Sequence, residues 1–410
     1  MQSRKTFFHT MKIALISIPM PTFNNRGAAS ALPYHLIKGA GKDARFEVWT
    51  YNSNHIPPSD VAETERALGV KIHILRQPWW MAWMFRLHVA VLRMLLRYPY
   101  LRYLRLLAKV RAAIRAFAPD KLWIYGEEIA HFADFFPYVP AVATMPDCES
   151  LYYHRLLGKD FATRSLPQIL RYAWAFWQYR GMERAMRHCH AMFHFVGRQD
   201  TAFFREICPE ANAVFLPHPL YAHRDKTISF HQPKVRLLFT GRYDLYCRRG
   251  SDRLLLAMLT DEYLKSAFEV TFLGKGWETW ADRLCKAGWT CQHIAFAPDY
   301  IEELQRHDVQ VNAIDVGTGT KGKVLDAIAN GLLEMGSPFA LENIDVTDGD
   351  SCVLFHDADE AVARLRDIAA NVSRYEAMAA KGRSRVLATH DSAACARSLF
   401  WPNGTPEANV

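Results

Sequence analysis

The chain has 410 residues, half of them hydrophobic and 22% charged, which excludes a disordered or low-complexity protein and points to two domains rather than one core. Its formal charge of +8 and pI near 9.0 fit nucleic acid, an anionic membrane surface or phosphorylated ligands equally well, so the distribution of charge has to decide. The eight cysteines form no C-x-x-C pair, which argues against a zinc site and reads as reduced thiols in a cytosolic protein.

Residues 1–10 are polar and basic, and the apolar run after them is only strand-length, too short for the core of a signal peptide or a membrane span. Secretion is not expected. A strand at 12–18, a loop at 22–27, a helix at 28–37 and a strand at 46–51 make a βαβ opening.

From residue 66 to residue 119 there is no aspartate or glutamate, while arginines recur among tryptophans, tyrosines and leucines. Within it, residues 78–118 read either as a membrane-surface element or as two basic helices packed on the sheet and separated at Pro99. Residues 164–187, with Trp174 and Trp177, extend the same character. Further strands are expected at 121–125, 141–145, 191–196 and 213–216.

A polar stretch at 217–234 reads as a linker, after which the alternation restarts. Strands are expected at 235–240, 269–273, 293–296, 309–314, 337–341 and 351–355, with helices at 253–259, 301–306 and 322–330. The fold class is therefore α/β, two tandem Rossmann-like doubly wound domains facing a cleft. The first spans about residues 1–220 and the second 221–390, with a terminal helix at about 390–410 packing back on the first. Ligand is expected at the carboxyl ends of the strands.

The most informative segment is Gly317-Thr318-Gly319-Thr320-Lys321-Gly322-Lys323, between a strand and a helix whose buried face is Val324, Leu325, Ile328 and Ala329. Thr320 reads as the N-cap, leaving Lys321 and Lys323 in a first turn that already carries partial positive charge. Two cations there make sense beside an anion, so Gly319, Thr320, Lys321 and Lys323 read as a phosphate cradle, against the alternative of a flexible turn with solvated lysines. Arg242 and Arg248 or Arg249, on the first strand-to-helix loop of the same domain, share that sheet edge and are candidates for the same phosphates. Asp326, one turn into the helix, is a candidate acceptor of ribose hydroxyl hydrogen bonds or an ordinary exposed aspartate.

Gly241-Arg242 with Arg249-Gly250, Phe272-Leu273-Gly274-Lys275-Gly276, and the run from Gly319 through Val324-Leu325-Asp326-Ala327-Ile328-Ala329-Asn330-Gly331 resemble the donor domain of group 1 glycosyltransferases of the GT-B fold, over residues 235–387. The resemblance implies that Arg242 and Arg249 hold a diphosphate, Arg249 standing for the more usual lysine, and that Asp326 holds the ribose where glutamate is commoner. Thr318 stands where retaining members often carry glutamate.

On the acceptor side, Asp147 follows the strand at 141–145 and is the candidate general base, or else a helix cap. Glu127 and Glu128 lie on the adjacent loop. Asn25, Arg26 and Gly27 line the first strand-to-helix loop and resemble the glycine loop of this fold. The resemblance implies that basic side chains stand in for a metal, so neither metal nor separate cofactor is expected.

The expected activity is glycosyl transfer from a nucleotide-sugar to a glycan or lipid-linked acceptor, in polysaccharide or glycolipid synthesis, by a cytoplasmic protein peripheral on an anionic membrane surface. Nucleic acid is not an expected partner, since no RNA-module signature is present. The alternatives are an epimerase on the same fold and a non-catalytic basic scaffold.

Overall fold

A computed structural model describes residues 10–26, 29–80, 83, 93, 95–158 and 164–402. The chain divides into two compact units, Met1–Pro219 with Ser392–Val410, and Leu220–Asp391.

The first unit is built on seven parallel strands: β1 (Met11–Ser17), β2 (Ala44–Thr50), β3 (Lys71–Ile74), β4 (Lys121–Tyr125), β5 (Ala141–Met145), β6 (Met192–Phe195) and β7 (Ala213–Phe215), in the order β3-β2-β1-β4-β5-β6-β7. β1 lies between β2 and β4 and buries its last five residues, the continuous apolar run of a strand covered on both faces. β3 lies outside the expected set. Its sequence, Lys-Ile-His-Ile, is a short edge strand with part-exposed side chains, so it carries no buried apolar run to read.

The helix Ala31–Ala40 packs against the distant helix Ser392–Phe400. Gly39 allows the approach, since a Cβ there would stand 2.2 Å from the Ser392 carbonyl oxygen. Phe400 meets Phe46 and Trp123 edge-on and accepts a hydrogen bond from Lys121 Nζ at its backbone oxygen. The end of the described chain thus completes the core of the unit that begins it.

The second unit has six parallel strands, β8 (Val235–Thr240), β9 (Phe268–Leu273), β10 (Cys291–Ile294), β11 (Val309–Asn312), β12 (Leu333–Gly336) and β13 (Val353–Leu354), ordered β10-β9-β8-β11-β12-β13. Chain progression reverses between β8 and β11, which makes their shared carboxyl edge the topological switch point.

Two expected strands are displaced. β10 starts two residues early because Cys291 to Ile294 register with Val270 to Leu273. The segment expected as a strand at 337–341 is the helical turn Pro338–Leu341, opened by a proline in its first position, and the true strand precedes it, disguised by Glu334 and Gly336. Two Rossmann-like α/β units agree with the expected fold class.

Candidate donor site and a carboxylate cluster

At the switch point the loop after β8 and the loop after β11 are stitched together. Asp315 N–H donates to the Tyr246 carbonyl at 2.8 Å, and Gly250 N–H donates to Asp315 Oδ2 at 2.5 Å. Asp315 thereby takes a donor from the first turn of the helix Arg248–Leu259. Gly250 itself lies so close that a Cβ would sit 2.6 Å from the Ala313 carbonyl oxygen.

Lys323 crosses between the same loops. Its Nζ donates to the Thr240 carbonyl at 3.0 Å, at the last residue of β8. Gly241 adopts φ 92°, and a Cβ there would come within 3.3 Å of that ammonium, so this position needs glycine both for its backbone and for the lysine beneath it. Burial lowers the Lys323 pKa, and Cys247, Glu334 and Asp244 oppose the shift.

Lys321, not Thr320, is the N-cap of the helix Gly322–Ala329. Its backbone is extended and its ammonium folds back over the turn, donating to the carbonyls of Thr318 at 2.6 Å and Gly319 at 3.1 Å. Asn343 Nδ2 donates to the same Gly319 carbonyl at 2.9 Å. The glycine-threonine turn is therefore closed by its own lysine: Lys321 is the N-cap residue rather than part of the first helical turn, while Lys323 does lie in that turn, with its ammonium drawn under β8.

Arg242, Arg248 and Arg249 come together on a cavity of about 480 Å³ that is also lined by Tyr243, Asp244 and Asp252. The Arg248 guanidinium stands 5.2 Å over the Tyr243 ring. Lys321, Lys323 and Asp326 do not line this cavity.

Asp326 is not an exposed helix aspartate. It is only 7% exposed, and its Oδ1 has no hydrogen-bond partner among the described residues. Burial pushes its pKa up to about 8. A buried carboxyl oxygen without a donor is costly unless a ligand hydroxyl or water supplies one.

Sequence reading missed the polar layer beneath this edge. Glu334 on β12 accepts from Asn312 Nδ2 on β11 at 2.8 Å, and burial raises its pKa to about 8 against the opposing pull of Asn312 and Lys323. Gln310 lies 2.5 Å from Thr240 Oγ1; with its amide nitrogen turned toward β12 it reaches Glu334 Oε2 at 2.8 Å and the Lys323 carbonyl at 3.2 Å. Polar residues inside parallel strands, as in Val-Gln-Val-Asn and Leu-Glu-Met-Gly, were the available signal.

In the first unit the acceptor-side residues separate. Asn25 Oδ1 accepts from the Ser30 and Ala31 N–H groups at 3.1 and 2.9 Å, capping the helix Ala31–Ala40. Arg26 pairs with Asp60. Gly27 lies outside the described residues.

Asp147 follows β5, two residues before the helix Glu149–Gly158, and its charge helps raise the pKa of Glu149, burial being the larger cause. Around it stands a carboxylate cluster only half anticipated. Glu183, fully buried on the helix Leu166–Ala185, accepts from Ser150 Oγ, from Ser150 N–H at 3.1 Å and from Cys148 Sγ at 3.4 Å. Glu127 is 4% exposed, and burial and the neighbouring Glu183 hold it protonated well above the ordinary carboxylate range.

Comparison with known proteins places these features in context. Residues 248–400 match the family described as glycosyl transferase-like. No curated protein matches the chain. Among solved structures it is similar to Anabaena Alr3699/HepE in complex with UDP, with TM-score 0.61 and 11% identity over 95% of this chain and 98% of that one. It is similar also to sucrose-phosphate synthase from Thermosynechococcus elongatus, with TM-score 0.62 and 14% identity over 94% and 96%. The likeness to WaaG, a glycosyltransferase involved in lipopolysaccharide biosynthesis, has TM-score 0.59 and 13% identity over 95% and 100%. At such identities these likenesses establish a shared fold.

Proposed function

We propose that the chain, whose residues 248–400 match the glycosyl transferase-like family and whose fold is shared with WaaG and HepE, is a group 1 GT-B glycosyltransferase that moves a sugar from a nucleoside-diphosphate sugar to a glycan or lipid-linked acceptor. The observation that carries this reading is the buried Asp326 Oδ1, without a hydrogen-bond partner among the described residues, on the helix that follows β11 at the switch point of the second sheet.

In this reading Arg242 and Arg249 meet the diphosphate from the first loop, and the ribose hydroxyls satisfy Asp326. Lys321 holds the Gly317 to Gly319 turn in the shape that presents its backbone to the leaving phosphate. As the glycosidic bond to the donor breaks, negative charge grows on the diphosphate and these fixed cations stabilise it, with no metal required. Asp147 is the proposed acceptor of the hydroxyl proton as the new bond forms. The sugar nucleotide complexes of HepE make uridine donors the first to try.

Nucleotide release from a panel of nucleotide sugars tests the proposal. One donor is expected to turn over with EDTA present, and Arg249→Ala is expected to cut kcat/KM by about tenfold or more, the loss of one charge-assisted contact. Absence of turnover with every donor and acceptor, or full activity in Arg249→Ala, would remove its basis.

A further inference from the structure

The helix Leu166–Ala185 is twenty residues long, about 30 Å. On its inner side Met182 and Glu183 are buried, Tyr179 packs on the core of the first unit, and Gln178 Nε2 donates to the backbone oxygens of Arg93 and Leu96 at 2.9 and 2.5 Å. Its outer side should be polar, and it is not. Leu166, Leu170, Trp174 and Trp177 fall at i, i+4, i+8 and i+11 on one stripe, each between 41% and 67% exposed. Four large apolar side chains in a row on solvent mark a surface that something covers.

The charges around the stripe say what covers it. Arg171 and Arg184 are exposed on the same helix, and its single carboxylate, Glu183, is buried. The segment that Gln178 grips comes from the stretch without aspartate or glutamate, and there Leu95 is 75% exposed next to Arg93 and Arg97, whose guanidiniums lie 4.9 and 5.1 Å over Tyr100 and Tyr98. Tryptophan and leucine ringed by arginine suit the boundary between acyl chains and anionic headgroups. A protein partner of matching shape would more commonly meet a mixed polar rim. No helix among the described residues is long and apolar enough to cross a membrane, so the contact is one of lying on the surface.

We propose that the outer face of the helix Leu166–Ala185, with Trp174 and Trp177 as its inserted side chains and Arg171 and Arg184 as headgroup contacts, docks the protein on an anionic lipid bilayer. The inference is independent of the donor reading, since every residue it uses lies in the first unit and it asks nothing of nucleotide binding.

The test is co-sedimentation of the full chain with vesicles of phosphatidylcholine alone and of phosphatidylcholine with about one-third phosphatidylglycerol. Binding is expected only to the anionic vesicles, falling as salt is added. The double substitution Trp174→Ser with Trp177→Ser is expected to lower the partition coefficient by about tenfold or more. The pair Arg171→Gln with Arg184→Gln is expected to lower it several-fold while leaving the residual binding less sensitive to salt. An unchanged thermal midpoint and an unchanged response to UDP in these variants exclude misfolding as the cause. The proposal is overturned if the wild-type chain ignores anionic vesicles, or if the tryptophan variant binds them as well as the wild type does. It is equally overturned if the tryptophan variant abolishes a concentration-dependent dimer while vesicles remain unbound, since the stripe would then cover a second copy.

Discussion

Asp326 and Glu334 are carboxyls that burial lifts to about 8, and Glu127 is shifted in the same direction. For an acid whose pKa is raised on folding, the stabilising contribution is complete below the unfolded value and is lost as pH climbs through the folded one. The nucleotide-free second unit is therefore expected to lose stability between about pH 4 and pH 8. Asp326→Asn is expected to raise the thermal midpoint at pH 8 by on the order of 3 °C or more while weakening UDP binding roughly tenfold. Differential scanning fluorimetry across pH, with and without UDP, measures both. A variant with unchanged stability and unchanged affinity would show that the carboxyl neither bears a desolvation cost nor meets the ribose. Little of this burial was read from the sequence. Asp326 reads equally as a ribose ligand or as an exposed helix aspartate, and Glu334 was not singled out, because their surroundings come from other parts of the chain: Tyr300 lies near Asp326, and Asn312 and Lys323 stand against Glu334.

At the scale of elements, the strands with long apolar runs were readable to within a residue or two, β4, β5 and β8 among them, since burial on both faces leaves a run of hydrophobic residues. β3 and β12 were not, and β10 was shifted by two residues. Each is four residues long, and each mixes polar with apolar side chains, so only pairing with a neighbour defines it. The loops that shape the donor edge were half readable: the glycines and basic residues stood out, but the fold-back of Lys321 and the reach of Lys323 did not. Gly274 illustrates how tightly these loops are set. Its φ is 133°, and a Cβ would fall 2.3 Å from the Gly241 carbonyl oxygen. Gly274→Ala is expected to cost about 2 kcal/mol or more of second-unit stability, read as a shift of the urea midpoint, because backbone rather than a movable side chain stands in the way. A neutral effect would mean the two loops are freer than their contacts imply.

For the molecule as a whole, the two units are unequal in how they are assembled. The second is continuous in sequence, whereas the first needs the chain to return, with Cys395, Ala396, Leu399 and Phe400 buried in it. Truncation after Asp391 is expected to deprotect β1 and β2 in amide hydrogen exchange while β8 and β11 stay protected by their own core. Unchanged protection of β1 and β2 would show that the returning helix is dispensable. Whether the second unit's sheet edge grips a nucleotide is measured by titration calorimetry with UDP, GDP, CDP and ADP. One nucleotide is expected to bind the wild-type chain and to lose about tenfold or more in affinity in Arg249→Ala and again in Asp326→Asn. Indifference to all four nucleotides, or equal affinity in both variants, would contradict the account.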